Sequence, residues 1–165
     1  MVITRRPVGQ LFFLIVSIIG AAISVYLILV HYDQQNVPLV CSTRGFINCE
    51  NVLNSPYGEV PGTTIPISVP GLLWFLVAGG LAFVIWQGRS EIRQLLLAEA
   101  IWSALGILTA FYLIYVELVV LHTLCAWCTA LHLLILILLI TSIFQLQGAS
   151  SKDVEEEEVE EMLPL

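Results

Sequence analysis

Four long apolar runs dominate the pattern of this chain. Leu11 to Val30, Val69 to Trp86 and Leu124 to Leu146 contain no acidic residue, lysine or arginine, and Leu95 to Val116 contains only Glu99, near its start. Each approaches the roughly 20 residues that a helix needs to cross about 30 Å of hydrocarbon. The second run reaches back to Ile65 if its proline-containing entry is counted. These runs predict four membrane-spanning helices. Between the first two lies the one long connection, His31 to about Ile65, with turn formers at Asn54, Ser55, Pro56, Gly58 and Pro61-Gly62. A short helix from Glu50 to Asn54, lying on the membrane surface, is expected within it. The terminal stretch SSKDVEEEEVEEM reads as a solvated, disordered charge block.

Composition agrees with this pattern. Charged residues make up 12% of the 165 positions, against about 25% in soluble proteins. The net charge of −7 describes the tail, because Asp153, Glu155, Glu156, Glu157, Glu158, Glu160 and Glu161 supply most of it. No basic patch exists to hold nucleic acid. The expected fold is therefore an all-α membrane protein: a four-helix transmembrane bundle over residues 1–150, with an outer loop at 31–65 and an acidic tail at 151–165. Arg5, Arg6, Arg89, Arg93 and Lys152 fall on one side of such a bundle, and Arg44 alone on the other. The positive-inside rule then puts both termini in the cytoplasm of an inner or plasma membrane. The first run exceeds the 7–15 residues of a signal-peptide core, so an uncleaved anchor is expected.

Four cysteines fall on the opposite, extracytoplasmic side. Cys41 and Cys49 lie in the long loop, and Cys125 and Cys128 form a C-x-x-C pair at the start of the fourth span. That side permits disulfides. Three readings compete. Two structural disulfides suit the loop pair but suit C-x-x-C poorly. A four-thiolate zinc site needs two closely spaced pairs, and the loop pair has seven residues between its cysteines. The third reading is a relay of exchangeable disulfides, one pair meeting a protein and the other a membrane-dissolved acceptor. A loop able to swing suits the first pair, because exchange proceeds through a mixed disulfide. The second pair sits where unpaired N–H groups and the helix dipole favour a thiolate, and where lipid-dissolved quinone can reach it.

The combination resembles a known family. C-x7-C after the first span, Ser55 six residues later, and C-x-x-C opening the fourth span look like the vitamin K epoxide reductase family. The stretch NVLNSPYGEVPGTTIPISVPGLLWF resembles its prokaryotic branch, and the likeness covers roughly residues 10–146. The resemblance implies a membrane dithiol:quinone oxidoreductase. Cys41 would exchange with a soluble thioredoxin-like (DsbA-like) protein that installs disulfides in secreted proteins. Cys49 would pass the disulfide to Cys125, and Cys128 would face the quinone, menaquinone or ubiquinone. Ser55 matches a serine close to the family's active site. The acidic tail stands where many bacterial relatives carry a fused thioredoxin-like domain, so a separate partner is implied. His132 stands where the animal enzymes have tyrosine. The family's quinone-contacting asparagine has no counterpart in the second span, so epoxide reduction is not implied.

Other residues are weighed against plainer roles. His132 shares a helix face with Cys128 and offers a hydrogen bond to a quinone carbonyl or a proton; an interhelical hydrogen bond is the structural alternative. Trp127, between the reactive cysteines, is expected against a quinone ring. Trp74, Trp86 and Trp102 read as an interfacial belt. Glu99 is read as reaching headgroups at the cytoplasmic end, Arg44 as guiding a partner or a neighbouring thiolate, and Phe46 and Ile47 as docking the loop onto the membrane or a partner groove. The rival from another class is a non-catalytic tetraspan protein with a stabilising loop disulfide, which leaves Cys125 and Cys128 idle. A small transporter would show broken helices or paired midplane charges, and none is visible.

Overall fold

The computed structural model describes residues 5–33, 35–41, 45–88 and 92–161. Arg44 and Arg89 lie outside them. Five helices follow in order: α1 Arg5–Tyr32, α2 Cys49–Leu53, α3 Ser68–Trp86, α4 Ile92–Tyr115 and α5 Ala126–Glu161. A π-helical turn, Val116–Val120, ends α4. Among the described residues four stretches are long and apolar enough to cross a membrane: Val8–Tyr32, Ser68–Trp86, Arg93–Val120 and Ala126–Ala149. They match the four apolar runs: the first and third extend a few residues further at both ends, the second begins one residue earlier, and the fourth begins two residues later and ends three residues later. The small helix predicted at Glu50–Asn54 forms one residue earlier, because Asn48 caps it by accepting the Asn51 N–H at 3.0 Å. Beyond its crossing, α5 continues through the acidic block as far as Glu161.

Lipid removes most of the hydrophobic drive between helices, so close packing has to hold them together. The most extensive interface joins α1 and α3, and small residues build it. Gly20 receives the ring of Phe75, Gly79 lies against Ser17, and Gly71 faces Ser24. Phe13, Val16, Phe75, Ala78, Ala82 and Leu138 form the buried centre, while Ile15, Ile18, Leu108, Phe111 and Phe144 face outward. On the other side of α3, Trp74 stacks on Trp102 with ring centroids 6.3 Å apart, and the Trp102 indole donates to the Trp74 carbonyl. These two tryptophans therefore serve the bundle interior and not an interfacial belt; Trp86 alone of the three is exposed.

Buried polar groups also tie the helices. Glu99 is 1% exposed and turned inward, contrary to a headgroup role. Gln10 donates to its carboxylate at 3.1 Å and also to Gln145, so α1, α4 and α5 are linked at one end of the bundle. The alternation of helix direction puts the loop and both cysteine pairs at the other end.

The Gly20–Phe75 contact generates a stability prediction. A Cβ added at Gly20 would lie 2.3 Å from the Phe75 ring, so Gly20→Ala should cost about 1–3 kcal/mol by overpacking. Thermal unfolding in detergent should show a lower Tm, partly recovered by Phe75→Leu in the same chain. An unchanged Tm would contradict this account of the α1–α3 interface.

Candidate functional site

The site begins where the chain reverses between α4 and α5. At the π turn the Leu121 N–H reaches the Val116 carbonyl at 2.9 Å, and Thr123 N–H reaches the Glu117 carbonyl at 3.0 Å. His122 takes a left-handed conformation, φ 56°, uncommon for a residue with a side chain. The chain can then run back as an extended segment, Thr123–Leu124, into α5. Cys125 immediately precedes the first residue of α5 and acts as its cap: its Sγ accepts the Cys128 N–H at 3.3 Å. The C-x-x-C spacing suits this geometry, because a cap side chain reaches the N–H three residues on.

The outer loop docks onto this reversal. Leu124 N–H donates to the Phe46 carbonyl at 2.7 Å, and Asn48 N–H donates to the Leu124 carbonyl at 3.0 Å. Ile47 pairs with Leu124 as a parallel bridge. One residue before Cys41, Val40 is held from both sides. Its N–H donates to the Tyr26 hydroxyl at 2.9 Å, and its carbonyl accepts from the Trp127 indole at 2.8 Å. The rings of Tyr26 and Trp127 lie 5.0 Å apart. The loop is thus tethered at both of its cysteines in this state, where a freely swinging loop was expected. Phe46 itself points away, 78% exposed.

These tethers gather all four sulfurs. Cys41 and Cys49 are joined as a disulfide, and Cys125 and Cys128 are free thiols. Cys49 and Cys125 are both fully buried and belong to one apolar cluster with Val52, flanked by Cys41, Trp127 and Cys128. Among the described residues no group of side chains could hold a metal ion. Cys125 is shifted toward the thiolate. The Cys128 side chain, hydrogen-bonded to it, is the largest cause, and the N–H groups of Cys128 and Trp127 add to it. Burial and the Glu117 carboxylate oppose the shift without cancelling it.

Two cavities meet this sulfur cluster. The outer one, about 300 Å³, is lined by Cys41 with His31, Glu50 and Asn54 among others. The inner one, about 240 Å³, opens between α1, α3, α4 and α5 and is almost wholly apolar. Cys128 and His132 lie on its wall, opposite Leu27, Phe75 and Pro66. Two polar atoms there have no protein partner: the Nδ1 of His132 and the indole nitrogen of Trp74. Buried polar groups are rarely left so, and such atoms in an apolar pocket suit a ligand with hydrogen-bonding ends.

Of the residues singled out by sequence, the four cysteines and His132 are thus brought together. Ser55 takes a neighbouring, architectural place. Its hydroxyl donates to the Val52 carbonyl at 2.7 Å and accepts the Tyr57 N–H at 3.3 Å, shaping the turn after α2. That turn brings Gly58 so close that a Cβ there would lie 2.2 Å from the Leu53 carbonyl oxygen. Leu53 and Gly58 both line the inner cavity. Trp127 faces the loop and is not among the residues lining that cavity.

Two residues escaped the sequence reading. Trp74 was assigned to the interface because indole near a span end usually lies there. Glu117, the residue just after the third apolar run, is 3% exposed and its Oε2 accepts the Cys125 N–H at 3.2 Å. An acid eight residues before a C-x-x-C pair, inside apolar sequence, was the available signal.

A comparison with curated proteins gave no match. The sequence model of the Vitamin K epoxide reductase family matches residues 11–143, from the first crossing to the fourth. That span holds all four cysteines, the docked loop and both cavities. The chain belongs to the vitamin K epoxide reductase family and is, with it, a membrane thiol-disulfide oxidoreductase.

Proposed function

We propose that this chain reoxidises a separate thioredoxin-like protein and passes the electrons to a membrane quinone, in support of disulfide formation in secreted proteins. One observation carries the reading: the sulfurs bridge two cavities of different character. Cys41 borders the outer cavity, Cys49 and Cys125 are buried together, and Cys128 borders the apolar inner one. A non-catalytic tetraspan protein has use for the loop disulfide, but none for a capped, free C-x-x-C pair at a cavity wall.

The steps follow from that arrangement. A thiolate of the reduced partner attacks Cys41, and Cys49 leaves. The partner's second thiol then closes the partner's disulfide and frees Cys41. Cys49 attacks Cys125 of a closed Cys125–Cys128 disulfide, and Cys41 resolves the mixed disulfide, so the loop closes and the inner pair opens. The present structure has this form, with the loop disulfide closed and the pair reduced. A quinone, when bound, supplies an acceptor for two electrons. Cys125 and Cys128 give these up and close again. His132 and Trp74 offer the unpaired ring nitrogens that would orient carbonyl oxygens. Ser55 supports the turn on the cavity wall, and Trp127 holds the loop near the pair and not the quinone.

Orientation in the membrane belongs to the same proposal. Arg5, Arg6, Arg93 and Lys152 stand toward the helix ends opposite the cysteines, which by the positive-inside rule supports an extracytoplasmic side for the sulfurs in an inner or plasma membrane. Residues 1–150 then form the transmembrane domain, and 151–165 an acidic cytoplasmic tail.

Purified protein in detergent, given a reduced thioredoxin-like donor, should reduce a menaquinone or ubiquinone analogue. Cys128→Ala should abolish turnover, and Cys41→Ala should impair the protein donor more than a small dithiol. Undiminished turnover in Cys128→Ala would remove the mechanism. His132→Phe should raise the quinone KM about tenfold, the equivalent of one lost hydrogen bond of roughly 1.4 kcal/mol; an unchanged KM would place the quinone elsewhere.

The Cys125 thiolate gives a pH test. In Cys128→Ala, with the loop disulfide closed, Cys125 is the one remaining thiol. Loss of its principal hydrogen-bond donor should move its ultraviolet thiolate titration to higher pH than in the parent. A shift the other way would mean that burial and Glu117, not the hydrogen bonds, govern it.

A further inference from the structure

Glu117 is a buried acid that the relay described above leaves without a task. It sits in the π-helical turn at the cysteine end of α4, 3% exposed. Such turns interrupt helices frequently at functional sites, and here the turn coincides with an acid beside the reactive sulfurs. One carboxylate oxygen accepts the Cys125 N–H at 3.2 Å, and the Cys125 Sγ in turn accepts the Cys128 N–H at 3.3 Å, so the carboxyl lies beside the pair. The ion pair found among the described residues joins His31 to Glu59, so Glu117 has no basic partner there. The titratable residues beside it are Cys125, which meets it through its N–H, and Cys128, three residues on. His132 lies one turn further along α5, and His122 on the reversal is exposed. A carboxyl held out of water has few ways to lose or gain a proton, and the sulfur of the pair that must do both is Cys128.

We propose that Glu117 is the proton carrier of the C-x-x-C pair, taking the Cys128 thiol proton when the pair closes and returning it when the pair opens. The inference rests on the relay reading for its place in the cycle. On opening, the Cys49 thiolate attacks the Cys125 sulfur, a new Cys49–Cys125 bond forms and the Cys125–Cys128 bond breaks. The departing Cys128 sulfur takes a proton from the neutral Glu117 carboxyl, leaving a carboxylate. On closing, the carboxylate takes that proton back as Cys125 and Cys128 give two electrons to the quinone acceptor of the relay and bond to each other. Glu117 is unchanged over the two steps, and no further base is needed for them. Its distance from bulk water is then useful, because the proton stays with the pair.

The test uses the full chain in detergent with the loop disulfide intact, and it contains neither quinone nor partner. In Cys125→Ala, Cys128 is the single free thiol, and its exchange with a small aromatic disulfide releases a coloured thiolate. Adding Glu117→Gln, which keeps an oxygen to accept the N–H of residue 125, should slow this release about 10²-fold at neutral pH, in the range of general acid–base effects. The deficit should shrink as pH rises and hydroxide replaces the carboxylate, and Glu117→Asp should recover part of the rate. Equal rates with and without Glu117→Gln would overturn the proposal, as would a loss that is the same at every pH, which marks a packing role. If the Glu117→Gln chain does not fold, the pH profile of the Cys125→Ala chain decides. A plateau set by an acid titrating below the ordinary thiol range, about 8.5, supports the carrier; a simple rise through that range overturns it. Failure of quinone reduction with this result intact would sink the acceptor and leave Glu117 in place.

Discussion

The structure depends on the pairing of Leu124 with the outer loop. Leu124 lies just before the start of α5, at the mouth of an apolar bundle, where an unpaired backbone group is costly. Its N–H and carbonyl find no helix to join. Phe46 and Asn48 supply both partners, at 2.7 and 3.0 Å. The same two bonds bring Asn48, the cap of α2, beside the reversal, and Cys49 is the first residue of that helix. Backbone satisfaction and sulfur placement are therefore one constraint. Anything that releases the loop from Leu124 also withdraws Cys49 from Cys125.

The rest of the bundle arranges the surroundings of that contact. Small residues let α1 and α3 close tightly around Phe75, and the Gln10–Glu99–Gln145 cluster ties the far end. Near the sulfurs the packing is looser, and a cavity remains between four helices. Polar character falls along the path of the sulfurs, from the Glu50 and Asn54 side of Cys41 to the apolar wall beside Cys128. The chain of thiols thus runs between two surroundings of different polarity.

Sequence pattern carried the helices well because hydrophobic length is nearly the whole of what a membrane crossing requires. The same pattern misplaced Trp74 and Glu99. Hydropathy reports the depth of a residue along a span and says nothing of whether it faces lipid or a neighbouring helix. Trp74 faces Trp102 and Glu99 faces Gln10 through helix rotation, which only the packing fixes. The proximity of Cys49 to Cys125 was legible from the resemblance and from the count of crossings, but the tether through Leu124 was not. Backbone hydrogen bonds between distant segments leave no mark in residue type. Trp127 shows the same limit: its position between the cysteines was plain, and its indole bond to Val40 was not. Glu117 was visible as an acid in apolar sequence, while its approach to the pair depends on the π turn and the left-handed His122.

The most direct measurement is disulfide trapping between the two pairs. In the Cys41→Ala, Cys128→Ala chain, mild oxidation in membranes should join Cys49 to Cys125, and peptide mass spectrometry should find that cross-link as the main product. A chain whose Cys49 and Cys125 remain separate thiols under conditions that close the parent's loop disulfide would contradict the account.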